Sequence, residues 1–249
     1  MQSAKQQEWF KKWFESSYYE ILYQGRNTTE AEAFISRLVK HIGPLANGKK
    51  VLDLACGSGR HAAIFNDLGF NVVGLDLSER AIAEALARNL KSCEFEVHDM
   101  RNVFCANRFD WGVNLFTSLG YFEDPRDNLR AINTLQKAVK PGGYIIIDYF
   151  NAEFICQSLI RSETKKIQDL SFQITKTIQN QFIVKDIFVS TLGKTEHFQE
   201  KVQLIDLGDF KNWFSKLGIE LVECFGNYSL DAFNSSDSER LIMVVQKPF

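Results

Sequence analysis

The stretch Val51-Leu52-Asp53-Leu54-Ala55-Cys56-Gly57-Ser58-Gly59-Arg60-His61-Ala62 constrains this chain more than any other. Val51, Leu52 and Leu54 form a short apolar run that suits a strand covered on both faces. Gly57 and Gly59 then allow backbone angles and close approaches that a Cβ would block. A helix opening near Gly59 aims its free N–H groups back at that turn, where a negative group is stabilised. Strand, glycine turn and helix together form a unit that takes a nucleotide-like ligand across a strand end.

Gly57-x-Gly59-x-x-Ala62 also satisfies the dinucleotide fingerprint, with Asp76 about 20 residues further on. Asp53 separates the two readings. A carboxylate at the end of the first strand repels a pyrophosphate. It suits a ligand whose near end carries an ammonium and a sulfonium, as S-adenosylmethionine (SAM) does. The carboxylate of SAM would then take the helix N-terminus.

Asp53-Leu-Ala-Cys-Gly-Ser-Gly59 resembles motif I of the class I SAM-dependent methyltransferases. The resemblance implies an α/β fold: a Rossmann-like, seven-stranded, mostly parallel sheet with helices on both faces. It implies SAM as cofactor, with S-adenosylhomocysteine as product. The cofactor-binding residues implied are Asp53, Ala55, Cys56, Gly57, Ser58 and Gly59 in the turn, Asp76 and Leu77, Asp99 and Met100, and Asn114 and Leu115. Asp76 closes the second strand, Asn71–Leu77, where its carboxylate can accept hydrogen bonds from both ribose hydroxyls. Ser78 already serves as the cap of the next helix. After a third strand, Cys93–Val97, Asp99 matches the family acid that receives the adenine amino group. Met100 matches the residue that offers its backbone N–H there, and its thioether can lie on the purine. His98 reads as structural.

The fourth strand is expected over Phe109–Phe116, and its C-terminal end faces the same crevice. Asp124-Pro125-x-Asp127 caps the following helix, and Lys140-Pro141-Gly142-Gly143 turns into a fifth strand, Tyr144–Tyr149. Before the core, residues 4–23 read as one helix. Its segment Tyr18-Tyr19-Glu20-Ile21-Leu22-Tyr23 resembles the Tyr-x-x-Leu stretch that folds over the SAM site in many family members. Thr29 and Glu32 read as a capping box of the next helix. Tyr121 and Tyr19 are the candidate catalytic residues, with packing roles as the competing reading. Tyr23, Thr117, Phe150 and Asn151 complete the expected acceptor surroundings, which are aromatic or neutral. Arg60 can meet a carboxylate or stand solvated at the helix start.

Residues 152–205 break the alternation of strand and helix. Apart from a helical start near Phe154 they read as β: 172–178, 182–189 and 196–205. The organisation expected is therefore 1–151 for the N-terminal helices and SAM-binding core, and 152–205 for an antiparallel β lid. Residues 206–249 return to the core with a helix and an antiparallel edge pair whose final strand is inserted. The lid is expected over the crevice.

The function classes excluded follow from composition. Acidic and basic residues are mixed, the net charge is −2, and no basic arm points to nucleic acid. No apolar run is long enough to cross a bilayer, and no apolar leader opens the chain. The five cysteines are scattered and form no C-x-x-C; no metal site is expected, and free thiols fit a cytoplasmic location. The reading is a SAM-dependent methyltransferase acting on a small-molecule acceptor, with the oligomeric state open. Three rivals stand beside it: an NAD-dependent oxidoreductase, a non-catalytic SAM-binding module, and an RNA or protein methyltransferase. Asp53 and Asp99 oppose the first. Asn114-Leu115-Phe116-Thr117 at the end of the fourth strand is neither Pro-Cys nor Asn-Pro-Pro-Tyr, which opposes nucleic-acid C5 and N6 chemistry.

Overall fold

The computed structural model describes residues 9–25, 28–43, 48–191 and 193–249, without the Pro125 side chain. The described parts fall into two compact units. The larger comprises the described residues within 28–157 and 205–249, and the smaller those within 9–25 and 158–204.

In the larger unit, seven strands form one sheet: β1 (Lys50–Leu54), β2 (Asn71–Asp76), β3 (Cys93–Val97), β4 (Phe109–Asn114), β5 (Val139–Phe150), β10 (Glu220–Phe225) and β11 (Arg240–Gln246). Their order is β10-β11-β5-β4-β1-β2-β3. From β5 to β3 all neighbours are parallel, while β11 pairs antiparallel with both β5 and β10. The last strand is thus inserted, as expected. Strand alternation divides the helices between the faces. Val51, Trp111 and Val113 point into a buried cluster with Phe34, Ile35 and Leu38 of α3 (Thr28–Ile42) and Ala62 and Phe65 of α4 (Arg60–Asp67). Gly112 faces the other way, where a Cβ would stand 3.0 Å from Leu135 of α6 (Pro125–Ala138).

Local signals act where they were expected. Ser78 caps α5 (Glu79–Ala87) by accepting the Ala81 N–H at 3.1 Å. Asp124 caps α6; α8 (Leu207–Leu217) ends at Gly218 (φ 64°) and opens with a capping box of Asp206 and Asp209 that the sequence reading did not name. Other boundaries differ. The Lys140–Gly143 segment is a bulge inside β5: Phe109 pairs with Val139 but Trp111 with Tyr144. β4 ends at Asn114, because Phe116 and Thr117 turn left-handed (φ 59° and 60°). α3 already includes Thr28, so Thr29 is not its cap; Pro44, expected to stop it, lies outside the described residues.

The smaller unit is a four-stranded antiparallel sheet, β6 (Ser162–Ile167), β7 (Leu170–Gln179), β8 (Phe182–Thr191) and β9 (Lys194–Gln203), in that order. It has one strand more than expected. The sequence Ser-Glu-Thr-Lys-Lys-Ile shows no apolar alternation, and β6 is held by its ladder to β7 and by a Lys176–Glu163 ion pair of 2.8 Å. The single N-terminal helix expected is broken into α1 (Trp9–Phe14) and α2 (Ser17–Tyr23), with Ser16 capping the second; residues 4–8 lie outside the described residues. These helices supply Trp13 and Leu22 to a buried cluster with Phe172, Ile174, Ile187, Val189 and Phe198. One polar knot is buried with it. Glu200 accepts from Trp13 Nε1 and the Tyr23 hydroxyl, each at 2.7 Å, and pairs with Lys185 at 2.7 Å. α7 (Ala152–Ser158) follows β5. No described helix is long and apolar enough to cross a membrane.

Candidate functional site at the strand ends

The site is built by the C-terminal edges of β1, β2, β3 and β4. After β1 the chain steps through positive φ at Ala55 (63°), Gly57 (55°) and Gly59 (77°). Gly59 needs to be glycine twice over, since a Cβ there would stand 3.0 Å from Phe95 and 3.1 Å from Ala85. Gly57 is different: a Cβ there would meet nothing within 4 Å. The space above it is open, as a turn against a ligand requires. The turn is latched to β2, for Gly57 N–H donates to Asp76 Oδ2 at 2.8 Å and Cys56 N–H to the Leu75 carbonyl at 3.0 Å.

Among the described residues at these strand ends, two buried side-chain oxygen atoms have no protein donor. Asp53 is 1% exposed and its Oδ2 has no partner; Asn114 is wholly buried and its Oδ1 has none. Asn114 is oriented by its amide, which donates to the Leu54 carbonyl at 2.8 Å. Burial first, and then the neighbouring Asp76 charge, push the Asp53 carboxyl up to about 7, against the opposing pull of Arg60. A buried acceptor left without a protein donor calls for one from a ligand, and for the Asp53 carboxylate a cationic donor suits best.

Asp76 Oδ1 also accepts the Ser78 N–H at 2.9 Å. A carboxylate is an acceptor only, which is the chemistry a pair of ribose hydroxyls requires. Leu77 follows at the end of β2. The His98 N–H donates to the Asp76 carbonyl at 2.8 Å, which sets Asp99 and Met100 beside Asp76 at the same edge. His98 itself bonds the Asn102 carbonyl at 2.8 Å, a structural role. Burial raises the Cys56 thiol well above its ordinary range, so it stays a neutral thiol.

Beyond Asn114 and Leu115 the chain is held by a network that the sequence did not announce. Asp148, wholly buried on β5, accepts from Arg240 Nε (2.9 Å) and Nη2 (2.6 Å), from the Tyr228 hydroxyl (3.1 Å) and from the Phe116 N–H (2.9 Å). Arg240 also donates to Thr117 Oγ1 at 3.0 Å. The Phe116 ring stacks on His61 (4.8 Å between centroids) and on Tyr228 (5.3 Å), with the Arg60 guanidinium 4.5 Å away. Arg60 thus joins this stack.

The expected acceptor residues have definite occupations. The Tyr121 hydroxyl donates to the Thr117 carbonyl at 2.6 Å. Asn151 donates to the Ser235 and Ser238 carbonyls at 2.7 and 2.8 Å, pinning the loop before β11. The Phe150 ring stacks on Tyr149 at 4.4 Å. In the smaller unit, Tyr19 packs against Trp13, Phe14 and Tyr23 at 5.7, 4.9 and 5.1 Å. Among the described residues no cluster of three side chains could hold a metal, and all five cysteines are free.

The family model described as a methyltransferase domain matches residues 23–224. The chain belongs to that family, the class I SAM-dependent methyltransferases. Among curated relatives, it is 31% identical over 132 residues to dTDP-3-amino-3,4,6-trideoxy-alpha-D-glucopyranose N,N-dimethyltransferase of Streptomyces venezuelae (52% of this chain, 54% of the relative). It is 33% identical over 118 residues to a ubiquinone biosynthesis O-methyltransferase of Thiobacillus denitrificans (46% and 50%). The matches thus span about half the length of these two relatives. A SAM-dependent methyltransferase from Clostridium acetobutylicum shares the fold of this methyltransferase-family chain with a TM-score of 0.78. The identity is 18%, over 93% of this chain and 96% of that one. The SAM-bound amino pentose methyltransferase of Micromonospora echinaspora has a TM-score of 0.70 at 18% identity, covering 93% and 97%. SAM is the cofactor of this methyltransferase family, and the open space over Gly57 and the two buried acceptor atoms fit it.

Proposed function

We propose that this chain transfers the methyl group of SAM to a lone pair on a small-molecule acceptor by in-line displacement. The observation that carries the reading is Asp53 Oδ2, a buried carboxylate oxygen without a protein donor beside the open glycine turn, with Asn114 Oδ1 likewise unpartnered at the end of the neighbouring parallel strand. The Asp53 oxygen suits the ammonium of a methionyl group. The relatives named for amino-sugar and ubiquinone methylation support a small acceptor.

The chemistry SAM supplies is a methyl group on a positively charged sulfur. The chain's residues bind and orient. Asp53 receives the ammonium, Asn114 lines the neighbouring strand end, and the backbone of Ala55, Cys56, Gly57, Ser58 and Gly59 leads into the N-terminus of α4. Asp76 holds the ribose, with Leu77 against the nucleoside, and Asp99 and Met100 read the purine edge. Leu115 and the left-handed Phe116–Thr117 step shape the acceptor side. The leaving sulfur is neutral, so no strong anion has to be stabilised there; holding the reacting atoms in line is worth up to about 7–11 kcal/mol, and an acceptor that binds protonated passes its proton to a general base or water. Tyr121 acts on positioning through its bond to Thr117. Of the two tyrosine candidates, it is therefore preferred to Tyr19.

The test is methyl transfer from isotopically labelled SAM to a panel of amino sugars, catechols and small amines. Release of S-adenosylhomocysteine with labelled product is the expected result. SAM binding without transfer to any member would favour a binding module, and no binding of SAM would sink the cofactor assignment.

A further inference from the structure

The sequence reading assigns Asp99 to the purine but says nothing of the residue two places on. Arg101 grips Asp99 with a full fork. Its Nε lies 3.0 Å from both Oδ1 and Oδ2, its Nη2 lies 2.5 Å from Oδ2, and its own backbone N–H donates to Oδ1 at 3.0 Å. The guanidinium is itself fixed from behind. Nη1 lies 3.4 Å from Asp127 Oδ2 in the first turn of α6, and the carbon of the group lies 4.9 Å from the Phe122 ring centroid. Asp127 is held in turn by Arg130 at 2.9 Å. The side chains of Arg101 and Asp99 are only 20% and 21% exposed.

We infer that Arg101 is a positioning residue that fixes the Asp99 carboxylate against the purine and so sets selectivity for a 6-amino over a 6-oxo base. This rests on the reading of Asp76 and Asp99 as nucleoside contacts. Asp76 pairs with Val97 across β2 and β3, and the His98 N–H is locked to the Asp76 carbonyl, so Asp99 follows directly along the edge where a ribose on Asp76 would direct its base. A carboxylate accepts from an exocyclic amine and repels a carbonyl oxygen at the same place. An aspartate near solvent would otherwise sample several rotamers, and ordering it on binding would cost affinity. The bidentate fork removes that freedom in advance, and a lysine, with a single point of charge, removes less of it. Arg101 also links this purine edge to Phe122 and α6.

Calorimetric titration of the full chain, freed of bound nucleoside, tests the inference with two ligands: S-adenosylhomocysteine and S-inosylhomocysteine, whose purine carries a 6-oxo group. The wild type should prefer the first by about tenfold or more. In Arg101→Met the affinity for the 6-amino ligand should fall about tenfold while that for the 6-oxo ligand changes less than about threefold, so the preference collapses. Arg101→Lys should retain an intermediate preference, and it serves as the working variant should Arg101→Met not fold. Asp99→Asn should lose the preference outright. Equal losses for both ligands in either Arg101 variant would show a purely structural role and overturn the inference. An unchanged preference would overturn it too. A wild type that binds both ligands equally removes Asp99 from the purine and the inference with it, whereas a wild type that binds neither sinks the cofactor reading itself.

Discussion

Arg240→Leu offers the sharpest measure of what holds the loop after β4. Asp148 is fully buried, and Arg240 gives it two bonds, at 2.9 and 2.6 Å. Without the guanidinium, the carboxylate keeps only the Phe116 N–H and the Tyr228 hydroxyl among these donors. Breaking a buried pair on one side costs about 3–5 kcal/mol, because a buried charge is left uncompensated. Phe116 and Thr117 add to the load. Their left-handed angles disfavour the native state by about 1–2 kcal/mol each, and Arg240 is one of the groups that hold Thr117 there. For a chain of this size the loss corresponds to a fall in Tm of roughly 6–20 °C. Thermal and urea unfolding, followed by near-ultraviolet circular dichroism, give the number. The double variant Asp148→Leu, Arg240→Leu should recover much of the loss, since no charge is then stranded. Thr117→Gly relieves about 1 kcal/mol of strain but also removes the oxygen that accepts from Arg240, so it should change stability by less than about 1 kcal/mol in total. A fall of less than about 2 °C in Arg240→Leu, or a double variant as unstable as the sum of the singles, would refute the view that this ion pair holds the loop.

Three further outcomes are expected. Asp53 has a raised carboxyl, so the native state binds the extra proton between the ordinary carboxylate range and about 7; its contribution to stability is present at low pH and lost as pH rises through that window. The stability of Asp53→Asn without cofactor should therefore fall less than that of the wild type between pH 5 and pH 8 in unfolding titrations. Gly57→Ala should keep a melting temperature within a few degrees yet lose about tenfold or more in calorimetric S-adenosylhomocysteine affinity, because its Cβ enters open space; Gly59→Ala should instead destabilise the fold by its contacts with Phe95 and Ala85. In the smaller unit, burial pushes Glu200 up, but Lys185, Tyr23 and Trp13 outweigh it and hold the carboxyl below its ordinary value. Its stabilisation is thus present above the ordinary carboxylate range and lost on acidification, so Trp13 fluorescence in Glu200→Gln should change less on acid titration than in the wild type.

The sequence by itself determined the order of strands and helices in the larger unit, the glycine turn, and the caps at Ser78 and Asp124. These are local matters: a Ser or Asp before an apolar run caps a helix wherever it stands, and Gly57 and Gly59 need backbone freedom within a single turn. The expected role of Asp76 was legible from its spacing, but not that its two oxygens also latch Gly57 and Ser78. The tertiary structure alone decided what depends on contacts between distant parts of the chain. Asp148 in Tyr-Ile-Ile-Ile-Asp reads as one polar residue in a strand, and its partner Arg240 lies 92 residues away. Phe116 and Thr117 carry no sign of a left-handed turn, because the groups that hold them come from β5, Tyr228 and Arg240. Trp13 and Leu22 show only a helical apolar face. That this face belongs with Phe172 and Phe198 follows from three-dimensional burial, which no pattern of period 3.6 or 2 encodes.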